Sequence, residues 1–163
     1  MKSVKFLLFA GVITIMFSAC KATSTASFRN YETQCLGVEL DGSLTLKAWG
    51  TGRYWKDAAD QAKKNAVRDV LFKGNFAGNG GCINRPLVPE VNAQEKYEAY
   101  FNAFFRDGGE YTKYISLKDE RISSRAPRKS VARNSDQSVY EVVVRVLRAD
   151  LQAKLIQDGI LKP

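Results

Sequence analysis

The chain has 163 residues, 25 Lys plus Arg against 17 Asp plus Glu, a formal net charge of +8 and no histidine. That length suits one domain with a modest core. Without histidine the usual general base, the usual proton shuttle and the commonest metal ligand are missing. No serine, lysine or carboxylate set stands out by its spacing, so the sequence points away from an enzyme, a metal site and a cofactor.

Lys2 and Lys5 precede an apolar run from Phe6 to Phe17. That run is too short to span a bilayer and reads as the core of a signal peptide, residues 1–19. "FSAC" (Phe17 to Cys20) resembles a bacterial lipobox, which implies cleavage before Cys20 and lipidation of its thiol. Several acyl chains on one residue exceed what stable membrane anchoring needs. Lys21, not an aspartate, follows the cysteine. By resemblance to bacterial lipoprotein sorting this implies an outer-membrane protein facing the periplasm. Residues 20–34 are mostly polar and are expected to form a flexible tether. Loss of the signal removes two lysines and leaves 23 cations against 17 anions, a charge of +6. The partners this favours are anionic lipid head groups, anionic glycolipid and acidic protein faces, not nucleic acid.

Residues 35–163 read as one α+β domain. Cys35 to Gly50 is a hairpin with a two-residue turn at Asp41-Gly42, and Leu44, Leu46 and Ala48 line one face of its second arm. Cys35 and Cys82 are the cysteines left after Cys20. In an oxidising compartment a disulfide is the default, with two separate buried thiols as the other reading. A bridge would close a loop of about 50 residues and stabilise the fold by about 4 kcal/mol in the chain-entropy model.

Gly50-Thr51-Gly52 raises the question of a phosphate loop. A dinucleotide fingerprint needs a third glycine where Trp55 stands, and a P-loop needs Gly-Lys-Ser/Thr. The sequence therefore excludes nucleotide and assigns Gly50 and Gly52 to a structural turn, with positive φ at one or both. The stretch Tyr54–Lys73 is the clearest helix. Its stripe, Trp55, Ala58, Ala59, Ala62, Ala66 and Val70, is mostly alanine, which lets a helix sit close to a sheet.

The Gly- and Pro-rich segment around Cys82 reads as an irregular loop, and about 92–106 as a second, aromatic-rich helix ended by Gly108-Gly109. Its rings have two readings, core packing or an exposed interface, with Tyr100 and Tyr111 as the exposed candidates. Tyr111–Lys118 alternates like a strand. The next stretch carries Arg121, Arg125, Arg128, Lys129 and Arg133 without an acid from 121 to 134. It reads as a solvated loop or as a contact for an anionic envelope ligand or an acidic protein. Ser138–Arg148 is the most β-prone segment, with Tyr140, Val142, Val144 and Val146 on one face. A short helix over 149–157 closes the chain. The sum is a mostly antiparallel sheet with an alanine-striped helix and further helices packed on one face.

"LTLKAWGTG", "DAADQAKKNAVRDVLF" and "VYEVVVRVLRADLQAKL" together resemble small envelope lipoprotein domains that include flagellar assembly protein P and the N-terminal domain of flagellar assembly protein T. The matching positions are Gly50, Gly52, Ala58, Ala62, Ala66, Tyr140, Val142 and Val144. The segment at about 75–117 departs from that pattern as an insertion. The resemblance implies a non-enzymatic scaffold that assembles around envelope machinery, as a homo-oligomer or in a protein complex.

Overall fold

The computed structural model describes residues 32–74, 77–78, 81–82, 85–117, 130–133 and 138–162. In chain order these form β1 (Gln34–Val38), β2 (Leu44–Gly52), α1 (Trp55–Arg68), β3 (Ala77–Gly78), α2 (Ala93–Lys96) and α3 (Glu98–Phe105). A 3-10 turn (Glu110–Tyr114), β4 (Ile115–Ser116), β5 (Ser130–Arg133), β6 (Ser138–Val146) and α4 (Arg148–Gln157) follow. The sheet runs β3-β1-β2-β6-β4, with β5 also on β6. All its pairs are antiparallel except β1 with β3. The α+β architecture expected from the sequence is the one observed.

The long pair β2–β6 forms the centre. It keeps one register from Leu44↔Val146 to Gly52↔Ser138. Because side chains alternate, Leu44, Leu46 and Ala48 meet Val142, Val144 and Val146 on one buried face. α1 lies on that face through Ala58, Ala59, Ala62, Ala66 and Val67, and α3 and α4 add Phe101, Phe104, Leu151 and Leu155 to the same core. Each fully buried leucine contributes about 1.5–3 kcal/mol of transfer free energy. The opposite face is mixed and mostly half-exposed: Trp49, Val139 and Val143 share it with Lys47, which pairs with Glu141 at 3.3 Å, and Arg145, which reaches Glu39 at 3.7 Å.

Four details differ from the sequence expectation. The hairpin loop has three residues, Leu40-Asp41-Gly42, closed by Gly42 N–H to the Glu39 carbonyl and Glu39 N–H to the Ser43 carbonyl, both 2.9 Å. Gly42 takes φ 77°, so the glycine serves a three-residue loop with a bulge. The aromatic helix is broken at Tyr97 (φ −115°, ψ 34°), where α2 ends and α3 starts. Tyr111–Tyr114 is 3-10 rather than extended, leaving Ile115–Ser116 as the strand. Glu32, Thr33 and Gln34, assigned to the tether, belong to the domain: Lys73 pairs with Glu32 at 3.2 Å and Thr33 is buried.

The end of α1 shows how the loop is held. Asp69–Lys73 is a π-helical turn, closed by Gly74 N–H to the Asp69 carbonyl at 2.7 Å. Carbonyls in a last helical turn lack helical partners. Here Leu87 and Val88 donate to those of Val70 and Leu71 at 3.1 and 2.8 Å. The Cys35–Cys82 disulfide fastens the same region to β1, with Cα atoms 6.2 Å apart.

Candidate functional site

Gly50 and Gly52 are not a turn. Both lie within β2, paired to Tyr140 and Ser138, and neither is among the positive-φ glycines. The reason for glycine is contact. A Cβ at Gly50 would stand 1.8 Å from the Ala58 carbonyl oxygen, and one at Gly52 2.5 Å from the Ala58 nitrogen. The first turns of α1 rest directly on the strand backbone. The change of direction falls on Arg53 and Tyr54, just after the strand.

The two tyrosines proposed as exposed are mostly enclosed. Tyr111 is 2% exposed, because the 3-10 turn swings its ring under Phe105 (centroids 6.0 Å apart). Tyr100 is half-buried, stacked on Phe104 at 5.9 Å, and its hydroxyl donates to Asp158 Oδ2 at 2.7 Å. Burial and the Asp158 carboxylate push the Tyr100 phenol well above its ordinary range. Burial alone would raise Asp158, but the Tyr100 hydroxyl and the Lys154 ammonium, 2.9 Å away, hold it below the usual carboxylate value. Lys154 also reaches Glu110 at 3.6 Å, so this network ties α3, the 3-10 turn and α4 together.

The lipidation candidate Cys20 and the basic residues Arg121, Arg125, Arg128 and Lys129 lie outside the described residues. Arg133 ends β5. The flanks of the basic stretch are placed: β4 and β5 pair with the same strand, β4 opposite Val146 and Arg145, and β5 opposite Tyr140 to Ser138.

Of the large apolar side chains exposed among the described residues, Tyr54 and Val91 lie apart and three lie on the first hairpin. Leu36 is 38% exposed, Val38 40%, and Leu40 projects fully from the tip.

No family model, curated protein or solved structure significantly matches the chain.

A second surface feature was not legible in the sequence. A groove of about 350 Å³ lies between the end of α1 and the α2–α3 segment, lined by Arg68 and Phe72 on one side and by Glu95, Glu98, Phe101 and Phe105 on the other. Glu98, Phe101 and Phe105 recur at i, i+3 and i+7, one face of a helix, and that spacing is its only sequence signal. Among the described residues no cluster of three or more Cys, Asp or Glu is placed to hold a metal ion, and no helix is long and apolar enough to cross a membrane.

Proposed function

We propose that the protein is an outer-membrane lipoprotein, anchored through Cys20 and facing the periplasm, that acts as a non-enzymatic assembly module of the cell envelope. The observation that carries the assembly role is the apolar hairpin. A leucine fully exposed at a loop tip, continued by a 40% exposed valine on the arm below it, is what a protein contact would cover. Its surroundings are polar and paired: Glu39 accepts from Thr45 at 2.6 Å and meets Arg145. An apolar centre with a polar rim is the anatomy of a protein interface. The lipobox supports the anchor. The motif resemblance to the flagellar assembly proteins supports a scaffold role and leaves the pathway open.

A photo-crosslinking residue at position 40 or 38, in intact cells, tests this reading. Adducts to an envelope protein or to a second copy are expected. A strictly monomeric product at both positions would refute it.

A second reading has its own observation. β4, which precedes the basic stretch, and β5, which ends it at Arg133, both pair with β6, and cations gathered near that strand would act together on an anionic ligand. In protein carrying Cys20→Ala, which cannot be acylated there, replacing Arg125, Arg128, Lys129 and Arg133 with glutamine is expected to abolish retention on vesicles containing anionic lipid. Unchanged retention would refute this reading.

A further inference from the structure

The groove beside α1 carries charge in a fixed order. Arg68 lies over the Phe105 ring at 5.4 Å, and Phe72 meets Phe101 edge-on with centroids 4.8 Å apart. Position 68 therefore faces 105 and position 72 faces 101, so the two helix ends run in opposite directions along the groove. Continuing along α3 past Phe101 leads to Glu98, and then to Glu95 on α2. One end of the groove is thus a guanidinium, the middle is phenyl rings, and the far end is two carboxylates. From Phe105 to Glu98 the helix rises by about 10 Å.

Among the described residues none of these three charges, Arg68, Glu95 and Glu98, is neutralised by an ion pair, and Arg68 contacts the Phe105 ring. Neighbouring Lys96, by contrast, is paired to Glu90 at 2.9 Å and Lys64 to Asp107 at 2.5 Å. Phe101 is buried, and Phe72 and Phe105 are half-buried. A volume of about 350 Å³ is at the small end of ligand sites.

We infer that this groove binds a short dipolar peptide. The C-terminal carboxylate of the ligand sits at Arg68, an apolar side chain rests on the half-buried Phe72 ring, and the free amino group faces Glu98 and Glu95. Three extended residues span about 10 Å, comparable to the helix rise between Phe105, which lies under the guanidinium, and Glu98. A guanidinium suits a carboxylate because its planar N–H fork can donate two parallel hydrogen bonds. This binding is independent of how the protein is anchored and of what its hairpin contacts.

The test uses the full-length chain and the tripeptide Ala-Leu-Ala with free termini, followed by calorimetry. The free peptide is expected to bind in the millimolar range or tighter, and capping either end by acetylation or amidation to weaken it about tenfold. In Arg68→Gln the penalty for amidation should vanish while that for acetylation persists. In the Glu95→Gln, Glu98→Gln double variant the pattern should reverse. All three positions are exposed, so folding is retained, and near-parental thermal unfolding of each variant verifies it. No binding at about 10 mM peptide would overturn the inference. So would equal binding of the doubly capped peptide, or cap penalties unchanged in both variants.

Discussion

Gly50→Ala probes the contact on which the fold is built. The added methyl would lie 1.8 Å from the Ala58 carbonyl oxygen and 2.6 Å from the Ala62 nitrogen. Both are backbone atoms, so no rotamer change relieves the overlap. Reaching even a tight 3.0 Å requires α1 to lift by about 1.2 Å. That lift opens a gap along the alanine stripe, whose members are too small to refill it. Overpacking of this kind costs about 1–3 kcal/mol, and an obstacle made of backbone puts this site at the upper end. The lower entropy of an unfolded alanine returns about 0.4–1 kcal/mol, leaving a net loss of about 2 kcal/mol. Gly37→Ala is the matched control: nothing lies within 4 Å of its Cβ and its φ is not positive, so it should gain about 0.4–1 kcal/mol. Urea unfolding followed by circular dichroism separates the two. If Gly50→Ala unfolds at the parental midpoint, or if both variants lose equally, the close-contact account is wrong.

Three further outcomes follow from the structure. The Cys35→Ala, Cys82→Ala double variant opens a loop of sequence separation 47 and should lose about 4 kcal/mol; a loss below about 1 kcal/mol in denaturant titration would show that the loop is held without the bridge. Tyr100→Phe removes a hydrogen bond to a carboxylate and should cost about 1–2 kcal/mol near neutral pH. Since the folded Asp158 value is lowered, this contribution is present above the ordinary Asp value of about 3.9 and fades as pH falls through the folded one; a cost that does not shrink in acid would contradict it. Asp69 is the opposite case: burial raises it, and Thr33 and Lys73 only partly offset that. Its share of stability is full below the ordinary Asp range and falls as pH rises through the folded value. Asp69→Asn should therefore flatten the stability–pH profile in mildly acidic buffer, and an unchanged profile would count against the assignment.

Much of the fold was legible because its periods are clean. The alternating Leu44, Leu46 and Ala48, the alanines of α1 and Val142, Val144 and Val146 of β6 are buried as their periods select, while Trp55 and Tyr140 at the ends of those stripes are only half-buried. Gly50 and Gly52 show where local reading stops. A glycine in a strand signals a turn or a close neighbour with the same letters, and only the position of α1 decides. Tyr111 failed for a related reason: five residues of 3-10 structure replaced the strand period, so a ring expected outside points inward. The groove was out of reach because Arg68 and Glu98 sit on separate elements, brought together by packing.

The Cys35–Cys82 bridge bears on the order in which the chain becomes a domain. The covalent ring it closes holds β1, β2 and α1 but not β6, so it contains the alanine stripe and only half of the surface that the stripe covers. A chain appearing from its N-terminus has both thiols free to meet soon after Cys82 emerges, while β2 still lacks its central partner. Leu44 must wait for Val146, a hundred residues later, to be capped. Early oxidation would therefore lock a half-built layer with one long open strand edge. Until β6 arrives, that edge is open to pairing with other chains.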